Sequence, residues 1–441
     1  MTSLITAFKI PELRKKLLFT FLMITAIMVA TLIPSPGVDV AAFAELVRGW
    51  GDVGVLMGIL SGKAIYNASI VSLSVYPYLF GMIVVQIITA AVPALRNLSY
   101  QNEAVQRRIT KYTRWAAMGA GLIFSVLLVI GSRSALTANL NFWVAFALAT
   151  VGFTVGSALV SWLCELISSK GIGNGFSVVI FAMICRNIPH VFKSTFVNAK
   201  EGLGLVWAIV LVVLIAVIGI LALVFCTYIQ NAERRIKLLF NKRSFGMKQY
   251  MGQNTSLPLK ITQAGILPII YTMLIITTPA LITAFFTSGS ENTFVKGVVN
   301  FTVSPSYLIL FAFLIIILAN AFSLMQFNPG DLANELKNNN GYIAGVKPGK
   351  PTTQFLTKMF SNINYAGAVF LFAVCMVPMF LSFIPGLKAL WYAGIGVVIL
   401  SAVVNEMLLL IDNGIKEDEE KKKNTKPTKT AKAFKQSGGR I

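Results

Sequence analysis

Four cysteines (Cys164, Cys185, Cys226 and Cys375) and one histidine (His190) are the side chains best suited to metal binding or nucleophilic attack. The cysteines show no CxxC spacing and fall in or at the ends of apolar stretches, so they read as small buried hydrophobes. A lone imidazole builds neither a zinc site of the usual His/Cys kind nor a Ser-His-Asp or Cys-His constellation. No P-loop or GxGxxG occurs, so the chain carries no visible means of hydrolysing a nucleotide. No catalytic group, metal or cofactor is therefore expected. Ion-coupled transport would need ionisable groups inside a membrane, and the candidates are Glu165, Arg186 and Glu406. Glu165 and Arg186 lie near the ends of apolar runs, where side chains reach water. Glu406, with its neighbour Asn405, lies near the cytoplasmic end of the last run. An interior this poor in charge suits a passive conduit whose energy comes from elsewhere.

The elements that must position such a conduit follow from composition. Of 441 residues, 56% are hydrophobic and 12% charged, with a mean hydropathy of +0.73. Soluble domains carry about 25% charged residues. Uncharged runs such as Leu205–Ile229 and Tyr307–Phe327 exceed the roughly 18 residues that mark a transmembrane helix. Ten apolar spans are expected, at 17–33, 75–93, 114–132, 144–167, 176–190, 205–228, 264–286, 305–326, 365–384 and 390–411. The fold class is thus all-α and polytopic, with ten transmembrane helices.

The net charge of +21 suggests nucleic acid as a partner, but its placement favours topology. With the N-terminus inside, only Arg48, Lys63, Arg133, Arg186, Lys193, Lys200, Lys296 and Lys388 of the 38 Lys and Arg residues fall outside. Both termini are expected in the cytoplasm. Arg14, Lys15 and Lys16 before an apolar run imitate a signal peptide. The run ends in Ile33-Pro-Ser-Pro-Gly37 with no small-x-small site close behind, so a retained first helix is the better reading.

Ten spans divide into two sets of five, 1–190 and 205–411, joined by an external hinge at 191–204. An odd-numbered half forces the second to be inverted relative to the first, as in much membrane transport machinery. The stretch 64–75, mildly apolar, serine-bearing and too short to cross, fits a half-helix entering from outside. Such backbone is tolerated at membrane depth only where protein or a cavity surrounds it. Two cytoplasmic loops, 230–263 and 328–364, are long, polar and basic, which suits docking of a large cytosolic partner. The tail 412–441 is lysine-rich and reads as disordered, with anionic lipid or RNA as its chemical partners.

Six ordered motifs resemble the SecY family, the channel subunits of the bacterial Sec translocase. Ile33-Pro-Ser-Pro-Gly37 is similar to the family's IPxPG, and Pro77-Tyr78 with a run ending in Gln86 resembles its second-helix start. Arg107-Arg108-Ile-Thr-Lys-Tyr-Thr-Arg114 resembles its first basic loop. Lys170-Gly-Ile-Gly-Asn-Gly175, followed by Phe-Ser-Val-Val-Ile-Phe181, is close to the opening of its fifth helix. Ala232-Glu-Arg-Arg-Ile236 with Pro258-Leu-Lys260 brackets its large basic loop, and Phe327-Asn-Pro-Gly-Asp331 through Gly345-Val-Lys-Pro-Gly349 matches the next.

The resemblance implies two five-helix halves around an hourglass pore, with a plug near 62–74. It implies a pore ring of Leu79, Ile83, Ile180, Ile184, Ile270 and Leu400. A belt of aliphatic chains parts for a polypeptide yet blocks ions by dewetting when closed. It implies a lateral gate between helices two and three and helices seven and eight, which Gln86, Thr272, Thr277 and Asn320 would tune. It implies docking of the SecA motor and the ribosome through Arg234, Arg235, Lys242, Arg243, Lys248 and Lys347. The small subunit SecE would clamp the halves and SecG would accompany it. The passengers would be unfolded preproteins with their signal sequences, released sideways into membrane lipid where hydrophobic. The location implied is the bacterial cytoplasmic membrane.

Lys347 stands where the family has Arg, which keeps the charge and loses the planar fork. Ala344 stands where the family commonly has Pro. These departures leave open an accessory channel for specialised substrates. A small-solute secondary transporter of two inverted halves is the alternative from another class, disfavoured by the charge-poor interior and long basic loops. An enzyme acting on lipids lacks any convergent acid, base or metal set.

Overall fold

The computed structural model describes residues 2–50, 52–92, 103–137, 140–240, 243–245, 248–250, 255–261, 265, 267–286, 305–326, 329–338, 341–347, 349–382 and 393–425. Long charge-free runs have no alternative to satisfying their own backbone, and they form helices. A short helix α1 (Thr2–Lys9) leads into α2 (Pro11–Ala30), with Pro11 at its first position, where a missing N–H costs nothing. On the far side follow α3 (Val40–Gly49), capped by Asp39 through Ala41 N at 2.9 Å, and α4 (Asp52–Leu60). Helices α5 (Tyr76–Ala91), α6 (Glu103–Gly131), α7 (Phe142–Lys170) and α8 (Gly175–Leu203) complete the first half.

The second half comprises α9 (Leu205–Gln230), α10 (Leu267–Phe286), α11 (Pro305–Gln326), α12 (Pro329–Asn338), α13 (Lys350–Leu381) and α14 (Ala393–Thr425). Apart from α1, α3, α4 and α12, these are the ten spans expected. Six of them, from α6 to α9 and α13 and α14, are by length and composition sufficient to cross a membrane. The apolar cores of α5, α10 and α11 are shorter, and α2 becomes apolar only after Lys16.

Four helices extend beyond the spans expected: α6 begins at Glu103 rather than 114, α13 begins at Lys350, inside the stretch 328–364 read as a loop, and α8 and α14 run on at their C-terminal ends. The hinge 191–204 is helical up to Leu203, and the chain turns only at Gly204, whose φ of +89° suits a residue without a Cβ. The fifth span therefore runs on through Arg186, His190 and Lys193, and Arg186 is a mid-helix residue rather than a terminal one. The segment taken as the start of the tail is the continuation of α14 to Thr425, and 426–441 lie outside the described residues. There Ile411 and Ile415 pack with Ala7, Ile10, Leu13 and Ile172, so α14 is held by α1 and α2.

The two long loops form one small domain. Strand β1 (Glu233–Phe240) pairs antiparallel with β4 (Thr255–Lys260) and, at its far end, with β5 (Gly341–Ile343) from the second loop. A separate two-stranded hairpin joins β2 (Arg243–Phe245) to β3 (Lys248–Tyr250). Ile236, Leu238, Leu259 and Ile343 on the sheet bury against Ala333 and Leu336 of α12 and Leu356, Phe360 and Ile363 of α13. Alternation along β1 turns Ile236 and Leu238 inward and Arg235 and Lys237 to solvent.

Candidate functional site: an apolar pore

The six ring candidates occupy four helices: Leu79 and Ile83 on α5, Ile180 and Ile184 on α8, Ile270 on α10 and Leu400 on α14. All six are buried, none more than 8% exposed, and all belong to one continuous apolar cluster. Members of each pair are i,i+4 neighbours and share a helix face. Across the halves, Ile184 Cγ2 lies 3.5 Å from where a Cβ on Gly396 would stand. Gly396 is one turn before Leu400, so these two ring helices meet on the faces that carry the ring.

The segment 61–75 fills the space among these helices. It is no half-helix, contrary to expectation. A four-residue 3₁₀ turn (Ala64–Asn67) is followed by bends and turns, and the regular helix nearby is α4, which precedes it. The reason is local: Ser61, Ser69 and Ser72 compete with helical bonding by binding the backbone themselves. Ser72 Oγ donates to Ser69 O at 2.6 Å, and Ser61 Oγ accepts from Ile65 N at 3.3 Å.

The turn after α2 holds the segment in place. Ser35 N donates to Ala68 O at 2.7 Å, Ile70 N to Ile33 O at 3.0 Å, and Ser69 Oγ to Ala30 O at 2.8 Å. The Ile33–Gly37 motif is thus the strand-like partner of the segment, with Pro34 and Ser69 in antiparallel register. On its other side lies α7, whose Gly156 sits so close that an added Cβ would fall 1.9 Å from Ile70 O. Of residues 61–75, only Lys63, Tyr66, Asn67 and Ile70 retain partial exposure.

Charge lies beside this seat rather than in it. Arg186 Nη1 donates to Thr31 Oγ1, tying α8 to the end of α2. Lys63 has its pKa lowered by burial first, then by the charges of Arg186 and Lys193. Burial raises the Tyr66 phenol, partly offset by Arg48. Glu165 forms a two-point ion pair with Arg114 of α6, with Nε–Oε1 at 2.9 Å. Glu406 accepts the backbone N–H of Asn174, the cap of α8, at 3.3 Å. A carboxylate there complements the positive helix end and joins the two halves. Behind it lies a cavity of about 210 Å³ lined by Gln230, Asn231, Lys260, Asn405 and Glu406 together with Ala402 and Leu409.

At the expected gate, α10 packs against α5 and α6. Thr272 and Thr277 are buried, and their hydroxyls donate to Pro268 O (2.7 Å) and Met273 O (2.6 Å) of their own helix. Those bonds stay within α10, and Thr277 also lies beside the Tyr76 hydroxyl of the other half. The bridge that sequence reading missed is Tyr76 to Thr278, hydroxyl to hydroxyl at 2.7 Å. The buried Tyr271 hydroxyl lies beside Gln86 without reaching hydrogen-bond geometry. Asn320 is half-buried on α11. An apolar run before a Tyr-Pro-Tyr helix start was the only signal for Tyr76.

Of the docking candidates, Arg234, Arg235 and Lys347 are exposed on or beside the small sheet. Arg235 Nε donates to Glu233 Oε1 at 2.7 Å. Arg243 and Lys248 fall in the β2–β3 hairpin, and Lys242 lies outside the described residues.

Comparison with known proteins places this geometry. The SecY family model matches residues 69–408. The protein translocase subunit SecY of Corynebacterium glutamicum is 33% identical over 400 residues, covering 86% of this chain and 88% of that one. The protein of the same name from Thermus thermophilus is 31% identical over 421 residues, covering 92% and 94%. Among solved structures, one of a SecY protein whose plug domain stabilises the closed state gives a TM-score of 0.59 at 16% identity, covering 91% of this chain and 92% of that one. A protein-conducting channel structure gives 0.58 at 15%, with the same coverage. The arrangement of ten spanning helices in two inverted halves around a central pore is the fold they share, and the chain belongs to the SecY family.

Proposed function

We propose that this chain is the central protein-conducting subunit of a Sec translocon, passing unfolded chains across a membrane and releasing apolar segments sideways. One observation carries the reading: four helices from both halves bury six aliphatic side chains in a common cluster, beside an irregular segment that is buried except for partial exposure at Lys63, Tyr66, Asn67 and Ile70. Irregular backbone at membrane depth is stable only when enclosed, and its removal would leave an aqueous path bounded by the ring. Residues 62–74 are then the plug. The gate opens between α5 and α10, where the hydroxyl bond from Tyr76 to Thr278 spans the halves.

No nucleotide-binding loop is needed, because the work is supplied by a motor ATPase of the SecA kind or by the elongating ribosome. Both would dock on the sheet that carries Arg234 and Arg235 and on the neighbouring Lys347, placing that face and both termini in the cytoplasm. SecE is the clamp the two halves require, with SecG beside it. Lys347 and Ala344 favour a second reading, an accessory channel with its own substrates.

Photo-crosslinking with a probe at Ile180, in membranes carrying a stalled secretory chain, tests the assignment. A crosslink that requires the stalled chain supports it. Engagement of the chain with no crosslink at 180 removes the ring assignment, and no engagement by a folded channel favours the accessory reading.

A further inference from the structure

Arg186, His190 and Lys193 follow one another at i, i+4 and i+7 on α8, so they form a single stripe. At 1.5 Å per residue the stripe lies about 16 to 27 Å from the start of α8 at Gly175, toward the side opposite the sheet. The plug meets this stripe. Gly62 stands so close to α8 that a Cβ there would lie 2.5 Å from Met183 Sδ and 3.5 Å from Arg186 Cδ. Lys63 is the next residue. The charges of Arg186 and Lys193 act on Lys63, and those of Lys63 and Lys193 on His190, so four cationic or protonatable side chains lie within electrostatic reach of one another, and no carboxylate among the described residues pairs with any of them. Arg186 keeps most of its guanidinium donors, since Nη1 alone is engaged, by Thr31 Oγ1 and Met28 Sδ.

The same segment is strained. Lys63 (φ +68°), Ala68 (φ +45°) and Ser74 (φ +46°) are the positive-φ non-glycine residues among those described, and all three belong to the plug. Residues without glycine's freedom hold such angles only when their surroundings impose them. A strained segment whose first side chain faces like charges is seated more firmly by a counter-charge.

We propose that Lys63, Arg186, His190 and Lys193 form a binding site for a tetrahedral oxyanion of the phosphate class, which ties the head of the plug to α8. Such an anion offers several acceptors at once, to a guanidinium fork, two ammonium groups and a ring N–H, where chloride offers a single point charge. After burial, repulsion by Arg186 and Lys193 holds the Lys63 pKa down, and an anion offsets that repulsion. The site itself stands on the geometry of α8. Its effect on the channel rests on reading 62–74 as the plug.

The test uses the full chain with its co-purifying subunits in liposomes of neutral phosphatidylcholine. A membrane-impermeant amine-acylating reagent is added from outside, and Lys63, Lys193 and, as internal control, Lys200 are followed by mass spectrometry. Inorganic phosphate, against chloride at equal ionic strength, is expected to slow acylation of Lys63 and Lys193 by about 1 + [phosphate]/Kd, roughly tenfold at ten times Kd, and to spare Lys200. A second arm replaces added phosphate with phosphatidylglycerol. Protection in that arm alone assigns the anion to a lipid headgroup, protection in the first arm assigns it to free phosphate, and protection in neither overturns the site.

Arg186→Gln should abolish protection of Lys63, and persistence would overturn the site equally. If that variant does not fold, Lys193→Gln with Lys63 as reporter asks the same question. Resting conductance separates the two layers of the argument. Protection without any phosphate effect on conductance overturns the tie to the plug. Deletion of 62–74 with unchanged conductance defeats the plug reading and leaves the site intact.

Discussion

Gly156→Ala tests whether α7 is the seat of residues 62–74, the segment proposed as the plug. Its Cβ would fall 1.9 Å from Ile70 O and 2.4 Å from Ile70 C, both backbone atoms. An ordinary carbon–oxygen contact is about 3.3 Å or more, so the Ile70 carbonyl must move by about 1.4 Å. That displacement pulls at the bonds from Ile70 N to Ile33 O (3.0 Å) and from Ser35 N to Ala68 O (2.7 Å). Two such bonds contribute about 1 kcal/mol each. Overpacking of a filled interior adds about 1–3 kcal/mol.

A closed state destabilised by about 3 kcal/mol raises the unplugged population by roughly two orders of magnitude. The assay is resting ion conductance in planar bilayers, with melting of the purified protein as the folding control. Gly119→Ala is the matched control, because a Cβ there meets nothing within 4 Å. Wild-type conductance in a normally melting Gly156→Ala protein would refute the reasoning. So would an equal leak from Gly119→Ala.

Tyr76→Phe removes the inter-hydroxyl bond to Thr278 while keeping the ring, so the closed gate should weaken by about 1 kcal/mol. Signal sequences of lower hydrophobicity should then be exported about fivefold better, and an unchanged hydrophobicity threshold counts against a gate at α5–α10. Glu406→Gln takes a charge from the N-terminus of α8, worth about 0.3–1 kcal/mol. Amide exchange at 174–178 should accelerate by up to about fivefold, and identical exchange in both proteins sinks the contact as a link between halves. Arg234→Glu with Lys347→Glu should abolish motor-driven translocation and leave the melting temperature within about 1 °C, because both side chains are exposed. Retained motor stimulation would place the docking surface elsewhere.

Much of this molecule is written in local sequence. An apolar run without charges must satisfy its own backbone in a membrane, so ten runs dictated ten helices, closely at 205–228 against Leu205–Gln230, while four helices extend more than ten residues beyond their apolar runs, at Glu103, Leu203, Lys350 and Thr425. The aliphatic character of Leu79, Ile83, Ile180, Ile184, Ile270 and Leu400 was equally plain, although composition cannot distinguish a ring from any other apolar face. Their roles came through resemblance, and their burial in one cluster only through the fold.

Tertiary structure decided the rest, because long-range neighbours set it. The motif 33–37 has no local reason to look like a strand, and it becomes one only against residues 68–70. Residues 62–74 have the length and apolarity of a half-helix, yet their serines and three left-handed residues take the form that α7 and α8 leave room for. Strand β1 reads as a basic loop until β5, a hundred residues later, supplies its partner. Arg186 reads as a terminal charge until α8 is seen to run on to Leu203, which places it beside Thr31 and the head of the plug. A sequence states what each side chain prefers, and only the packed fold states which preferences are met together.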